Sequence, residues 1–389
     1  NANIGYRLLW GYFSGIAPPE VLQMNDGKGS DDWRLKTGTG PYKLVNLRPD
    51  DIQVYERNEE YWDKETINGV AYDLPYNDSV VYHIMGDESA RIAAIRTCKV
   101  DILEAFRWQF AEQLKRSAPE LIVQSYLGNP AYLALRNDKP PFDDVRVRRA
   151  MNLAINQQEI LETLLNGEGE ILNYPFSSRW PDYYTPIDKL PPEGRELYEY
   201  HPEKAKQLLA EAGYPDGFEF EIMFRTDEPY HLDLMAMFQA YYQRIGVKVV
   251  ARPLDYPTFR AKMREPDQAA GYLMNVDEGN PFQVLRARFL TGQTWNPAFH
   301  SDTYHDETYY KALEERDAVT RDAMLRELNV RLIAERIPVV WLPTPTMYEA
   351  WWPYVKNYWG EHSVGAQKPG AIYARIWIDQ ELKKKMGCD

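Results

Sequence analysis

Apolar and polar residues alternate in two neighbouring segments near the start of the chain. Residues 42–47 and 52–57 both have a two-residue period, and an Arg-Pro-Asp-Asp turn at 48–51 separates them. This period is typical of strands with one buried face, so the two segments are predicted to pair as antiparallel strands. Further strands are predicted at residues 80–85, 100–103, 121–124 and 132–135, and a short helix at 89–97.

Helical periodicity becomes clear after residue 143. Asp144 can cap a helix whose apolar residues recur every three to four positions. Residues 202–212 have Pro at the first helical position, and Gly213 follows the last one, as is common at helix ends. Because a strand–helix–strand unit joins parallel strands, the next elements predict an α/β lobe. These elements lie at 218–224, 232–245 and 247–250, before a helix at 320–335 and a buried strand at 337–342.

Two segments rich in Gly, Pro, Asn and Asp interrupt these elements. Residues 25–32 are predicted to form a surface loop, and residues 137–144 form a proline-rich break. The chain has 389 residues, which exceeds what one hydrophobic core usually serves. We therefore expect at least two lobes, with a boundary near the second break.

The composition is that of a folded protein, because 44% of residues are apolar and 26% are charged. The formal net charge of −13 argues against nucleic acid as a partner, since phosphates attract a basic surface. No apolar run approaches the roughly 18 residues that span a bilayer, and the first residues lack signal-peptide features. The 28 Tyr and 11 Trp residues suit ligand pockets as well as partly hydrated cores.

The two cysteines, Cys98 and Cys388, are too few for a disulfide scaffold and have no CxxC spacing. We expect one buried thiol and one thiol in the tail. A disulfide between them is the alternative, and the sequence leaves it open because it does not show whether the two Cα atoms are close.

Candidate catalytic and metal-binding groups are few. Only His300 and His305 are near neighbours among the six histidines, and their five-residue spacing would not place them on one side of a helix. We expect surface or polar-core histidines, and no metal or other cofactor. The glycine-rich motif at 38–42 contains Pro41, which lacks a backbone donor, so a tight turn is predicted there instead of a phosphate loop. No catalytic motif is found, so the chain is not expected to be an enzyme.

Several short motifs follow one another in a recognisable order. Gly-Thr-Gly-Pro-Tyr, Asn-Glu-Glu-Tyr-Trp and Leu-Arg-Asn-Asp lead to a long motif that runs from Pro-Phe-Asp-Asp to Ala-Ile-Asn. They lie at 38–42, 58–62, 135–138 and 141–156, with further motifs at 202–217, 243–249 and 254–259. Each is weak alone, but together they resemble the family 5 extracellular solute-binding proteins over roughly residues 31–379. These proteins serve peptide, nickel and oligosaccharide importers.

The resemblance implies an α/β, two-lobed periplasmic-binding-protein-like fold of type II, in the large family 5 variety. Residues 1–30 are expected to be a remnant of an N-terminal or inserted region, with the family's further N-terminal portion missing. Residues 31–130 then form part of lobe I, 131–345 form the ligand-binding α/β lobe II, and 346–389 return to lobe I. The hinge is expected in two crossing strands at 131–137 and 339–345, which bend as the lobes close on ligand.

The resemblance also implies a function. We expect a monomeric binding component of an ABC importer, which captures an oligopeptide-like solute and works with the permease and ATPase subunits. An oligosaccharide ligand is the close alternative, a glycan hydrolase is the alternative from another class, and nickel or haem uptake is a third. The expected location is the periplasm or cell surface, with a lipid anchor at the missing N-terminus.

In peptide-binding members, a glycine-tryptophan strand leads to an Asp that pairs with the amino terminus of the peptide. Counting from Gly271 places Asn275 there and favours neutral, hydroxyl-rich ligands, whereas counting back from Pro281 places Asp277 there and allows peptides. Aromatic residues in a cleft loop and on a hinge strand are further candidates. The expected ligand-binding residues are Asn275, Asp277, Glu278, Asn280, Trp180, Tyr183, Trp341, Tyr132 and Trp108.

Overall fold

The structure is a computed structural model. It describes residues 18–27, 32–49, 51–171, 175–176, 178, 180–264, 270–275, 281–361 and 370–388. These residues fall into two compact units. The continuous unit lies within Leu127–Thr346, and the split unit combines residues from Gly5–Tyr126 with residues from Met347–Asp389. The lobe boundaries expected from the sequence stay a prediction.

The first part of the chain forms small antiparallel sheets and short helices. The helices are α1 (Pro19–Gly27), α2 (Glu88–Arg96) and α3 (Trp108–Ser117). The strands are β1 (Tyr42–Arg48), β2 (Ile52–Arg57), β3 (Lys64–Ile67), β4 (Val70–Asp73), β5 (Ser79–His83), β6 (Ile102–Phe106) and β7 (Ile122–Leu127). The predicted pairing of the first two strands is confirmed, with Tyr42 opposite Arg57. The predicted surface loop is wrong for residues 25–27, which end α1.

The glycine-rich motif bends immediately before β1, as the sequence predicts. The buried Asn58 from the next motif holds it there. Its side-chain Nδ2 donates to the Gly40 carbonyl at 2.9 Å, and its backbone N–H donates to the Pro41 carbonyl at 2.9 Å. Two motifs that resemble the family are therefore one structural feature, in which an amide satisfies the carbonyl groups of a turn.

The continuous unit is built on one five-stranded sheet. Its helices are α4 (Val145–Leu153), α5 (Gln157–Glu159), α6 (Pro192–Arg195), α7 (Pro202–Glu211), α8 (Pro229–Arg244), α9 (Tyr256–Met263), α10 (Pro281–Phe289), α11 (Thr303–Glu314) and α12 (Ala318–Arg331). Its strands are β8 (Ala131–Ala134), β9 (Gly169–Glu170), β10 (Glu219–Arg225), β11 (Lys248–Leu254), β12 (Ala270–Asn275) and β13 (Val339–Trp341). The strand order in the sheet is β11-β10-β12-β8-β13.

The register of this sheet shows how the sequence determines the α/β architecture. β10 runs parallel to β11 and β12, as expected for strands that helices connect, and the predicted strand–helix–strand unit is confirmed. β8 pairs antiparallel with both β12 and β13. The predicted helix ends are confirmed as well: Asp144 accepts from the Arg146 amide, and Gly213 has a φ of +96°, which glycine adopts without strain.

The last part of the chain completes the split unit. Its elements are β14 (Thr344–Trp351), β15 (Val355–Lys356), α13 (Gly370–Tyr373), β16 (Trp377–Ile378) and α14 (Gln380–Lys385). β14 lies between β6 and β7, with Ala350 opposite Leu103. The buried core joins Ile95 and Phe106 from the first segment to Tyr354 and other residues of the last segment. Neither segment therefore forms this core alone.

The structure joins Cys98 to Cys388 in a disulfide, with Cα atoms 5.2 Å apart. The expectation of two free thiols is therefore wrong. Both residues lie at the core of the split unit, where Cys388 is 1% exposed. The bond joins the two segments of this unit across 290 positions, a proximity for which the sequence holds no local signal.

We expect removal of this disulfide, by reduction or in a Cys98→Ser/Cys388→Ser variant, to lower the unfolding free energy by about 2–4 kcal/mol. Opening a covalent loop of this length increases the conformational entropy of the unfolded chain. Thermal unfolding with and without dithiothreitol measures the effect, and the serine variant, which has no bond to reduce, is the control. Two reactive thiols in the native, unreduced protein would contradict the assignment.

His300 and His305 are both buried, and their rings lie edge to face with centroids 6.0 Å apart. As expected, the two histidines do not share one side of a helix, because His300 precedes α11 and only His305 lies in it. Phe289 contacts both rings. Burial lowers the pKa of His300 to about 3 and that of His305 to about 4. Both imidazoles are therefore neutral in the folded protein at pH 7.

Candidate functional site

Three of the predicted ligand-binding residues lie on adjacent strands of the continuous unit. Tyr132 in β8 is directly opposite Trp341 in β13 and opposite Met274 in β12. Asn275, the last residue of β12, is opposite Ala131. Directly opposed residues share a face of a sheet, so the structure brings Tyr132 and Trp341 together.

Tyr132 is 1% exposed, and its hydroxyl interacts with the guanidinium of Arg288 in α10. Burial raises the pKa of the Tyr132 hydroxyl, and Arg288 acts in the opposite direction. The phenol is therefore neutral and can donate or accept a hydrogen bond at this end of the sheet. An arginine on a neighbouring helix is thus part of the candidate site.

Trp341 is fully buried, and its position is fixed by the family-resembling helix α4. The Trp341 backbone N–H donates to Asn152 Oδ1 at 3.1 Å. Asn152 Nδ2 in turn donates to the Val339 carbonyl at 3.0 Å and to the Arg148 carbonyl at 3.0 Å. The asparagine of the motif therefore attaches strand β13 to α4, which explains why a polar side chain stands at a buried position.

Arg148 attaches the same helix to the segment before β13. It is 7% exposed, and its guanidinium donates to the carbonyl groups of Ile337 at 2.9 Å, Phe142 at 2.7 Å and Arg336 at 2.7 Å. Burial, together with the charge of Arg336, lowers the pKa of Arg148 to about 10, so the side chain stays charged at pH 7. The motif thus provides the hydrogen bonds that hold one edge of the sheet.

Trp180 and Tyr183 lie together in a separate turn. The Tyr183 N–H donates to the Trp180 carbonyl at 2.9 Å, and the Tyr183 ring packs on Phe176 with centroids 5.7 Å apart. Burial raises the pKa of Tyr183, whose other neighbours are Arg321 and Asp322 of α12. These contacts place the turn beside α12, apart from the Tyr132 row.

The remaining predicted residues divide between a different unit and the undescribed part of the chain. Trp108 is the first residue of α3 and packs against the core of the split unit. Asp277, Glu278 and Asn280 lie outside the described residues. The choice between Asn275 and Asp277 as the residue that meets an amino terminus stays a prediction.

Sequence reasoning missed Arg288 and Trp295. The Arg288 Nη1 donates to the Trp295 carbonyl at 3.2 Å, so a loop after α10 lies against the arginine that contacts Tyr132. Two further arginines of α9, Arg260 and Arg264, approach the same tryptophan ring. The sequence offered one signal for this group, the four-residue spacing of Arg260 and Arg264, which places their side chains on one helix face.

The described part of the chain shows neither a cluster of metal ligands nor a membrane-spanning helix. Within it, no three His, Cys, Asp or Glu side chains come together in a way that could hold a metal ion. None of its helices combines the length and apolar character needed to cross a bilayer.

Comparison with solved structures confirms the predicted fold class. The binding protein DppA from Helicobacter pylori, solved in complex with the peptide STSA, matches with a TM-score of 0.77 at 22% identity. The match covers 92% of this chain and 66% of that one. At this level of identity the likeness shows the fold.

Comparison with curated proteins gives two further relatives. Heme-binding protein A from Haemophilus influenzae is 30% identical over 253 residues, which cover 64% of this chain and 43% of that protein. Glutathione-binding protein GsiB from Pectobacterium atrosepticum is 26% identical over 218 residues, which cover 56% of this chain and 39% of that protein. The chain therefore matches less than half the length of these relatives.

The family model described as "Bacterial extracellular solute-binding proteins, family 5 Middle" matches residues 6–296, well over half of the chain. The resemblance noted in the ordered motifs is thus confirmed. The chain belongs to the bacterial extracellular solute-binding proteins of family 5.

Proposed function

We propose that this protein is the substrate-binding component of an ABC importer and that its solute is a small peptide. Membership of the solute-binding family carries the proposal, through the family match over residues 6–296. Two of the three relatives above are named for, or solved with, a peptide: GsiB for glutathione and DppA with STSA. The protein acts outside the cytoplasm, binds without catalysis, and delivers its solute to a permease driven by an ATPase.

The row formed by Tyr132 and Trp341 supports a binding role. It offers aromatic side chains next to the end of β12, where the chain continues towards Asp277. Aromatic side chains with a few polar groups typically line solute pockets, and because Tyr132 and Trp341 are buried, they would form the inner wall of this one. The segments at 131–137 and 339–345 are proposed as the hinge strands, so closure would act directly on this row.

A peptide ligand favours Asp277 over Asn275 as the partner of the peptide amino terminus. A desolvated ammonium group needs a countercharge, which a carboxylate provides and an amide does not. The proposed site therefore combines Asp277 with the aromatic row of Tyr132 and Trp341. We propose that Trp180, Tyr183 and Glu278 contact the parts of the peptide beyond its amino terminus.

We expect Asp277→Asn to weaken binding of a free tripeptide by roughly 30-fold or more, because a buried ammonium loses its partner. Isothermal titration with Ala-Ala-Ala and N-acetyl-Ala-Ala-Ala measures the effect. The acetylated peptide lacks the ammonium group and should bind the unaltered protein and the variant equally weakly. Asn275→Ala is the matched control and should retain the preference for the free amino terminus.

A thermal-shift panel of peptide and oligosaccharide pools tests the solute class itself. Stabilisation by peptides is the expected result, since a ligand that binds only the folded state raises its melting temperature. Stabilisation by oligosaccharides alone would replace the peptide proposal with its alternative. Cleavage of either pool would contradict the binding-only role.

A further inference from the structure

Three arginine side chains surround one tryptophan ring in the continuous unit. The guanidinium carbon lies 4.9 Å from the centre of the Trp295 ring for Arg260, 5.8 Å for Arg264 and 5.5 Å for Arg288. We call these three arginines and Trp295 the basic cluster. Cation–π contacts lie within about 6 Å of a ring centre, so all three cations meet this criterion on the same indole.

The sequence of α9 explains how two of these arginines reach the ring. Tyr256, Arg260 and Arg264 are four residues apart, so they follow one stripe of the helix, and Arg264 is its last, capping residue. Phe259 takes the buried side of the helix, where it packs edge to face on Tyr272 of β12. The contact with the sheet therefore fixes the orientation of the helix, and its arginine side chains lie near the Trp295 ring.

Within the described part of the chain, the charge of the basic cluster has no balancing carboxylate. Among the residues that the structure describes, no Asp or Glu forms an ion pair with Arg260, Arg264 or Arg288. By contrast, Arg225, which lies over the Tyr256 ring, pairs with both Asp227 and Glu228. Gathering three cations around one ring is unfavourable, and the attraction of the indole for each of them offsets only part of their mutual repulsion. A bound anion would relieve the remaining repulsion.

The basic cluster is a local concentration of positive charge in a chain whose net charge is negative. The chain carries 58 acidic and 45 basic residues, so unpaired arginines are not expected to gather by chance. Guanidinium groups present planar pairs of N–H donors that match a carboxylate in two-point contact. Arginine is therefore the side chain that suits this ligand group.

Arg288 connects the basic cluster to the candidate site. The same guanidinium donates to the Trp295 carbonyl, lies over its ring, and interacts electrostatically with the hydroxyl of Tyr132 on β8. An anion held by the cluster would thus lie next to the row of Tyr132 and Trp341. The cluster belongs to the proposed solute site and adds a charge preference to it.

We propose that the basic cluster binds a side-chain carboxylate of the captured solute, so that the preferred solute is an acidic peptide. This inference rests on the proposed binding function and specifies its solute class. Arg260 and Arg264 supply the outer part of the carboxylate site, and Arg288 supplies the part next to Tyr132. Trp295 holds the three guanidinium groups in place between binding events.

Titration calorimetry on the full chain with two matched peptides tests this inference. The probes are Ala-Glu-Ala and Ala-Gln-Ala, which share both free termini and differ only by the replacement of the side-chain carboxylate with an amide. We expect the acidic peptide to bind the unaltered protein at least about 10-fold more tightly. In an Arg260→Gln/Arg264→Gln variant this preference should fall below about 3-fold, while the amide peptide keeps its affinity.

Arg316→Gln is the control, because Arg316 is an exposed arginine of the same unit outside the basic cluster. It should leave the preference unchanged. An Arg288→Lys variant keeps the charge but not the planar donor pair, so an intermediate preference is expected. Unchanged melting temperatures in the glutamine variants would show that they lose the preference for the acidic peptide without losing the fold.

The outcomes separate the two proposals. If both peptides bind the unaltered protein equally well and the cluster variants bind as the unaltered protein does, the carboxylate site is refuted and the binding function stands. If neither peptide binds, the peptide-binding function itself fails. If inorganic phosphate alone displaces the acidic peptide at equal concentration, the cluster is a general anion site and the proposal of an acidic peptide is overturned.

Discussion

Lowering the pH from 7 to 4 is expected to reduce the unfolding free energy of this protein by on the order of 5 kcal/mol through His300 and His305. An imidazole has a pKa of 6.5 in the unfolded chain, whereas burial holds the pKa of His300 at about 3 and that of His305 at about 4. Between these limits the unfolded chain binds more protons. The stability that depends on neutral His300 and His305 is therefore fully present above pH 6.5, and it is lost as the pH falls towards 4.

Urea unfolding at several pH values measures this dependence. A His300→Gln/His305→Gln variant should be less stable at pH 7 but should lose much less stability on acidification. His201→Gln is the control, since His201 is 41% exposed and pairs with Glu199 at the surface. An equal acid dependence in the unaltered protein and the double variant would show that other groups cause the loss.

Replacing Arg148 with alanine is expected to lower the unfolding free energy by about 3–5 kcal/mol. The guanidinium donates hydrogen bonds to the carbonyl groups of Phe142, Arg336 and Ile337, and Phe142 and Ile337 are buried together with it. Ile337 has a φ of +46°, so its backbone is in a conformation that costs energy for a β-branched residue. Loss of the arginine would leave this turn without support.

Chemical denaturation of the Arg148→Ala variant gives the free-energy change. Arg146→Ala is the control, because Arg146 lies two residues away, is half exposed and pairs with Asp144. It should cost less than about 1 kcal/mol. Arg148→Lys should also be strongly destabilised, since one ammonium group does not reach all three carbonyls. A loss below 1 kcal/mol in Arg148→Ala would contradict the assigned role.

The features that the sequence predicted correctly depend on local chemistry. Asp144 begins a helix because a carboxylate can accept from the first free amides, and Gly213 ends one because it adopts a positive φ. The alternation in β1 and β2 likewise needs no distant partner. Helix α3 was not predicted from the sequence, although its apolar residues recur at helical spacing and place Ala111 and Leu114 on a buried face.

The features that the sequence did not reveal depend on distant contacts. Cys98 meets Cys388 only because two chain segments share one core. The basic cluster likewise needs a helix, a second helix end and a loop to converge on Trp295. The candidate site was predicted in part, since Tyr132 and Trp341 lie opposite each other, whereas Arg288 had no signal in the chain.

The layout of the split unit has a consequence for the order in which the protein matures during synthesis. The continuous unit comes from one uninterrupted segment, so its sheet can form once Trp341 has left the ribosome. The core of the split unit must wait for residues after Met347, because Phe106 packs with Tyr354 and its neighbours. Cys98 therefore lacks its disulfide partner while the whole continuous unit is made, and the bond can form only after Cys388 has been added.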